Sequence, residues 1–289
     1  MKGRREGNNK NVWDFSENPS SKIAPELLKI LDRFKEEIEA SPKSLPEWMD
    51  GKGATPNEIV RSALFTARNR NRRRAYLKQA EIVVTGGGSI LYLGEELRQD
   101  DELVWMRLLQ LAKGRQLGEP VLFTPYSFLK AVGWRVNNWG YQHLRACLLR
   151  MKATAVQITS NRLHRTVVTS LIDYIAMWDP DKHTPLAQWE VRISKVMSLL
   201  FEDGAFTLID LEQRKALPEG IATKLHSYWS SHKEPYPVRV ETLQRLCGSQ
   251  NELRFFRREL KKALDALVDV GFLETWGIEI DLVAVIRRK

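Results

Sequence analysis

Arg254, Arg258, Lys261 and Lys262 recur at three- and four-residue intervals, with Asn251 just before them and Arg257 between. Cations at that spacing share one side of a helix. Held there, they neutralise phosphates, and an Arg or Asn can also pair with a base edge in the major groove. Exposed helix faces carry Lys and Arg in many proteins, so this face alone leaves a plain solvated surface equally open. A second cationic set lies far upstream. Arg68, Arg70, Arg72, Arg73 and Arg74 put five arginines within seven residues, with Lys78 beyond. It reads either as a solvated loop or as a phosphate contact, where each neutralised charge contributes through counterion release.

Groups suited to catalysis are not arranged in this way. His143, His164, His183, His226 and His232 show no paired metal spacing, and there is no Walker A pattern. Gly86, Gly87 and Gly88 precede no Gly-Lys-Ser/Thr, so they read as a hairpin turn between strands at Glu81–Thr85 and Ser89–Leu93. Asp100 and Asp101 suit the start of a helix, where carboxylates meet the dipole. No catalytic residue, metal ligand or cofactor site is expected, and the chain is not read as an enzyme. Cys147 and Cys247, the only cysteines, sit among leucines and read as reduced buried thiols of a cytoplasmic protein. No run approaches the ~18 apolar residues of a membrane span. The basic stretch Met1–Lys10 leads into no apolar segment, so it is not a secretory signal. The 289 residues carry a net charge of +9 and are 43% hydrophobic, enough for real cores and suited to an anionic partner.

The elements that must hold the first cationic set come next. Leu253, Phe256, Leu260, Ala263, Leu264 and Leu267 make one apolar stripe opposite the cations. A short helix with Leu243 and Leu246 precedes it and stops at Gly248; Gly271 ends the longer one. Phe272–Trp276 and Leu282–Ile286 read as strands around a turn near Gly277. Helix, turn, helix and hairpin in that order predict a winged helix-turn-helix, whose second helix enters the major groove. Arg287, Arg288 and Lys289 would reach a neighbouring groove or backbone.

The same order occurs earlier. GEPVLFTPYSFLKAVG at Gly118–Gly133 aligns without gaps on KEPYPVRVETLQRLCG at Lys233–Gly248, matching Glu-Pro and the final Gly. Helices are expected before both, at Asp101–Ala112 and Glu219–Ser231. In the first copy a second helix runs from about Trp139 to Lys152, followed by strands at Val156–Thr159, Thr166–Trp178 and Trp189–Ser194. It presents Gln142, Ala146, Leu149 and Arg150 outward, with Arg145 on the flank. Gln pairs with adenine and Ala meets a thymine methyl, whereas an outward Leu149 equally suits a protein interface. The second copy is therefore assigned the stronger DNA contact, and the first is shared between DNA and protein association.

The fold class expected is α+β: two tandem winged helices, mainly helical, with small antiparallel sheets. Residues 1–56 form a tail with an amphipathic helix at Ile23–Ala40 and a Pro/Gly-rich linker at Ser41–Pro56, disordered over Met1–Ser21. Residues 57–203 form the first winged-helix domain, opening on a short helix at Asn57–Arg68, and 204–289 form the second. Helical segments at Lys195–Asp203 and Asp210–Leu217 join them.

RSALFTARN (Arg61–Asn69), DDELVW (Asp100–Trp105), GEP (Gly118–Pro120), KATA (Lys152–Ala155), SSHKEPYP (Ser230–Pro237) and LCGS (Leu246–Ser249) resemble the TrfA-type replication initiators of broad-host-range plasmids. The resemblance runs from about Pro56 to the end. It implies binding of double-stranded DNA at directly repeated origin sites, the iterons, and opening of an adjacent A·T-rich region. It implies recruitment of the host initiator, replicative helicase and sliding clamp, and self-association between an active monomer and a dimer that controls plasmid copy number. Family members can carry a Gln-Leu-x-Leu-Phe clamp-binding peptide before the first domain. Here that region holds SLPEWMDG, Ser44–Gly51, so direct clamp contact stays open. Gln250, Leu253, Phe255 and Phe256 superficially resemble such a box but fall in the cationic helix. A transcriptional repressor is the alternative, since winged helices serve both. Two unlike readers on one chain suit direct repeats; one reader per chain in a dimer suits palindromes.

Overall fold

A computed structural model describes residues 44–69, 71–179, 181 and 183–288. The expected disordered start, the amphipathic helix at Ile23–Ala40, Arg70 and Lys289 lie outside the described residues.

Lys52–Pro56 is strand β1, so the expected linker is structured at its end. Its small residues fit because the strand lies flush against the helix carrying Met106: a side chain at Gly53 would come within 3.3 Å of Met106 Cβ. The helix expected over Asn57–Arg68 is only one turn, α1 at Asn57–Val60. Ile59, Val60, Leu64 and Phe65 are all buried, so the segment is enclosed on several sides and has no single apolar face to extend. The chain turns through Ser62, whose Oγ donates to the Ile59 carbonyl, into β2 at Phe65–Thr66.

Tyr76–Ile82 (β3) and Ser89–Glu95 (β4) form the expected hairpin around the triple glycine, with β3 starting earlier. Leu97–Arg98 (β5) pairs in parallel with β2. Gln99–Ala112 (α2) is the central helix, buried on nearly every side by Trp105, Met106, Leu108 and Leu109. Then come Val121–Phe123 (β6), Pro125–Val132 (α3) and Asn138–Lys152 (α4). Thr124 and Asn137 cap the two helices, accepting from the backbone N–H of Ser127 and Gly140.

Ala155–Ser160 (β7), Arg165–Thr169 (β8), Ile172–Asp179 (β9) and Thr184–Ile193 (β10) follow. The strand expected over Thr166–Trp178 is therefore two strands in different sheets. The break falls where Leu171 is buried and Ser170 Oγ donates to the Ile172 carbonyl at 2.8 Å. The sheets have the orders β3-β4-β7-β8 and β6-β10-β9.

A 3-10 segment at Lys195–Gly204 leads to Phe206–Asp210 (β11), which pairs antiparallel with β1. Leu211–Ala216 (α5), Ile221–Ser230 (α6), Val238–Arg239 (β12), Val240–Leu246 (α7), Leu253–Asp269 (α8), Leu273–Glu279 (β13) and Leu282–Arg287 (β14) complete the chain. The last hairpin turns at Ile280 and Asp281, both at positive φ, not near Gly277. Gly277 lies in mid-strand opposite Ala284, where the ladder overrides its turn preference.

The two halves repeat one another. The late sheet has the order β12-β14-β13, matching β6-β10-β9, and Gly133 and Gly248 end the first helix of each pair at φ +76 and +64. The buried stripe of α4, Gly140, Leu144, Cys147, Leu148 and Met151, matches Phe256, Leu260, Ala263, Leu264 and Leu267 of α8 in spacing. Each half has its own apolar core. Between them the contact is mixed: Val60 and Met106 form a small buried apolar cluster with Ile209 and Leu211, while buried Arg214 donates to Glu102 and to the Gln99 side chain, and buried Lys224 donates to the Ser62 carbonyl.

Candidate nucleic-acid interface

Helix α8 keeps its stripe inside and turns Arg254, Arg258, Lys261 and Lys262 to solvent. Arg254 pairs with exposed Glu252 at 2.9 Å, a contact that solvent makes cheap to exchange for phosphate. Arg257 lies on the flank as expected and pairs with Asp281 at the hairpin tip, fixing the hairpin relative to the helix. The Asn251 side chain donates to Glu259, and its carbonyl accepts from Gln244 at 2.6 Å, so it is held at the head of the helix. Asp265, near the far end, accepts from Trp276 Nε1.

The upstream arginine loop comes to the same place. A cleft of about 810 Å³ is lined by Arg68, Asn69, Arg72 and Arg73 on one side and by Asn251 and Lys262 on the other. Arg98, only 2% exposed, builds it from below: its guanidinium donates to the carbonyls of Asn69, Arg72 and Arg73 and is neutralised by Glu96 at 2.8 Å. Arg68 reaches across to the Gly248 carbonyl at 2.7 Å, and Ala67 N–H donates to Cys247. With their backbone engaged, Arg72 and Arg73 project into solvent beside α8. Arg74 does not: it bridges Asp100 and Asp101 at 2.5 and 2.7 Å. Neither Arg98 nor Glu96 carries a spacing signal in the sequence, because Arg98 bonds carbonyls of a loop far upstream and Glu96 pairs with Arg98 and with Arg68 and Thr66, about 30 residues away.

On α4, Gln142, Arg145, Ala146 and Leu149 are exposed as expected, but Arg150 is not. Its side chain is 8% exposed and bonds Asp101 at 3.0 Å, with Glu95 beyond. A buried carboxylate outcompetes water for a guanidinium in the last turn of the helix, so Arg150 is a structural cation. Burial alone would raise the Asp100 carboxyl, but hydrogen bonds from His143 and Arg74 outweigh it and hold it well below the usual range. Asp101 is pushed up by burial and by the charge of Asp100, against the pull of Arg150 and Arg74. Asp100, His143 and Cys147 converge within 4.8 Å, a triad that sequence spacing does not reveal. Two guanidinium groups already serve it, Arg74 on Asp100 and Arg150 Nη2 at 3.6 Å from Cys147 Sγ, so the node works as an ion-pair lock. Both cysteines are free and buried, as expected. No helix among the described residues is long and apolar enough to cross a membrane.

The model of the TrfA protein family matches residues 11–287. The chain belongs to the TrfA family. It is 35% identical over 274 residues to the plasmid replication initiator protein TrfA of Escherichia coli, covering 93% of this chain and 71% of that protein. Its mixed helix-and-sheet fold is shared with crystal structures of RctB. One, of domains 2-3, superposes with a TM-score of 0.53 at 13% identity, covering 80% of this chain and 97% of that one. A selenomethionine form of RctB domains 2 and 3 gives 0.51 at 11% identity, covering 76% and 94%.

In this TrfA-family chain the clamp-box likeness of Gln250, Leu253, Phe255 and Phe256 does not hold up sterically. Phe256 is fully buried under α8, so those residues cannot be offered together. Arg287 is likewise withdrawn from the role expected of it: it donates to the carbonyls of His232 and Trp229 and lies over the Phe272 ring.

Proposed function

We propose that the chain initiates plasmid replication by binding directly repeated origin sites through two tandem winged helices. The observation that carries this reading is the duplicated order of helix, left-handed glycine, second helix and three-stranded sheet, with solvent-facing polar or cationic residues on both second helices. Helix α8 supplies the stronger grip through Arg254, Arg258, Lys261 and Lys262, while α4 contributes Gln142 and Arg145. Arg72 and Arg73 hold the phosphates beside α8 and set the register. Two unlike readers on one chain, with the buried Arg214–Glu102 pair between the halves, suit asymmetric direct repeats better than palindromes.

Several copies on adjacent repeats strain the duplex, and an A·T-rich tract with flexible steps yields first. In this reading opening draws on binding energy without catalysis by this chain, the host initiator and helicase follow, and self-association through the first domain, with its exposed Leu149, limits the active form. Direct contact with a sliding clamp is not included.

Footprinting on the DNA flanking the chain's own gene tests the proposal. Protection of regular direct repeats beside an A·T-rich tract is expected. Protection of a lone palindromic promoter, without origin activity, would make the protein a repressor instead. Full-strength site binding by residues 218–289 alone would remove the first domain from the contact.

A further inference from the structure

Two large aromatic side chains stand exposed at the same place in the two halves. Trp139 immediately precedes Gly140, the first buried residue of α4, and Phe255 immediately precedes Phe256, the first of α8. The stripes that follow have identical spacing, so the two rings occupy equivalent positions on the first turn of each second helix. Trp139 is 57% exposed and Phe255 38%, although both halves have complete apolar cores without them. Each ring is braced by a polar neighbour. His143 stacks on Trp139 with ring centres 4.8 Å apart, and the Arg254 and Arg258 guanidinium groups lie 4.6 and 5.8 Å from the centre of Phe255.

We propose that Trp139 and Phe255 are thymine readers, each setting an apolar edge against the 5-methyl group of a thymine in the major groove. The inference rests on the DNA-binding reading above and adds the base that each half selects by apolar contact. Residues on the first turn of a second helix are those that reach base edges. Thymine alone carries a methyl on its major-groove edge, and an apolar side chain is the group that recognises it. One turn further along, Gln142 and Arg258 occupy equivalent positions at the centre of the exposed faces. Gln pairs with adenine and Arg with guanine. The first half therefore reads thymine near an adenine, and the second reads thymine near a guanine. Cations around Phe255 bring the phosphates close, so the ring meets a base and not a protein surface.

The test uses the full chain and a random-sequence duplex library to select the bound site, then duplexes in which each thymine in turn is replaced by uracil. That change removes only the methyl. One position in each half should lower wild-type binding about fourfold, the worth of one buried carbon. Trp139→Ala should abolish the penalty in one half and Phe255→Ala in the other, while Trp139→Phe and Phe255→Leu, which keep an apolar edge, retain it. Wild-type binding indifferent to uracil at every position would overturn the proposal, as would a penalty that survives in the alanine variants. Failure to select any duplex would defeat the DNA-binding reading itself; a selected site without methyl dependence would defeat only this inference.

Discussion

Arg150 Nε lies 3.0 Å from Asp101 Oδ1, joining the end of α4 to the start of α2. The other Asp101 oxygen takes Arg74 at 2.7 Å, so one buried carboxylate holds the second helix of the first half and the root of the arginine loop together. Removing Arg150 leaves Asp101 Oδ1 without its cation in the interior, while Arg74 still holds Oδ2. Arg150→Ala is expected to destabilise the protein by about 3 kcal/mol in urea unfolding. Site affinity per folded molecule should be unchanged, and a selective loss of affinity at full stability would return Arg150 to the interface.

Arg258 and the pair Arg72 and Arg73 should behave differently on DNA. Arg258→Ala is expected to weaken binding to the specific site by about 1–3 kcal/mol, and a scrambled duplex by much less. Arg72→Ala or Arg73→Ala should weaken both alike and reduce the slope of log affinity against log salt by about 1 each. Titrations of both duplexes at several salt concentrations separate the cases. Equal losses on both duplexes for Arg258→Ala would make it a phosphate contact.

His226 ties stability to pH. It is fully buried against Phe272, and burial, aided by Arg214 and Arg287 and opposed by Asp210, lowers its pKa to about 3. The folded state therefore keeps the ring neutral, while the unfolded chain takes a proton near pH 6.5. Stability from this group is complete above about pH 6.5 and declines as pH falls toward about 3. Between pH 7 and pH 5 the loss is expected to be about 2 kcal/mol by denaturant titration. His226→Phe should flatten that part of the profile, and an unchanged slope would show that His226 is not the source.

Gly133 and Gly248 share a left-handed backbone but not an environment. A side chain at Gly133 meets nothing within 4 Å, whereas one at Gly248 would come 2.7 Å from Thr66 Cγ2. Both alanine variants should lose about 1 kcal/mol from the left-handed backbone alone. Gly248→Ala should lose more, because it pushes α7 away from β2. Thermal melts giving equal losses would mean that Thr66 moves aside freely.

By itself, the sequence determined the local elements of the chain. The stripe from Leu253 to Leu267, the glycines that stop the short helices and the matched order of the two halves could all be read without coordinates. Helical periodicity and left-handed glycines follow from bonds between residues a few positions apart. The tertiary structure decided what those rules do not reach. Arg72 and Arg73 face solvent while Arg74 and Arg150 are consumed, because the buried carboxylates that choose among arginines lie 26 to 49 residues away. Lys52–Pro56 is a strand only because Phe206–Asp210 lies beside it. The final turn falls at Ile280–Asp281 because cross-strand register fixes it there. A charge shows in the sequence, but its partner is set by how the chain returns on itself, and that decides which cations remain for a nucleic acid.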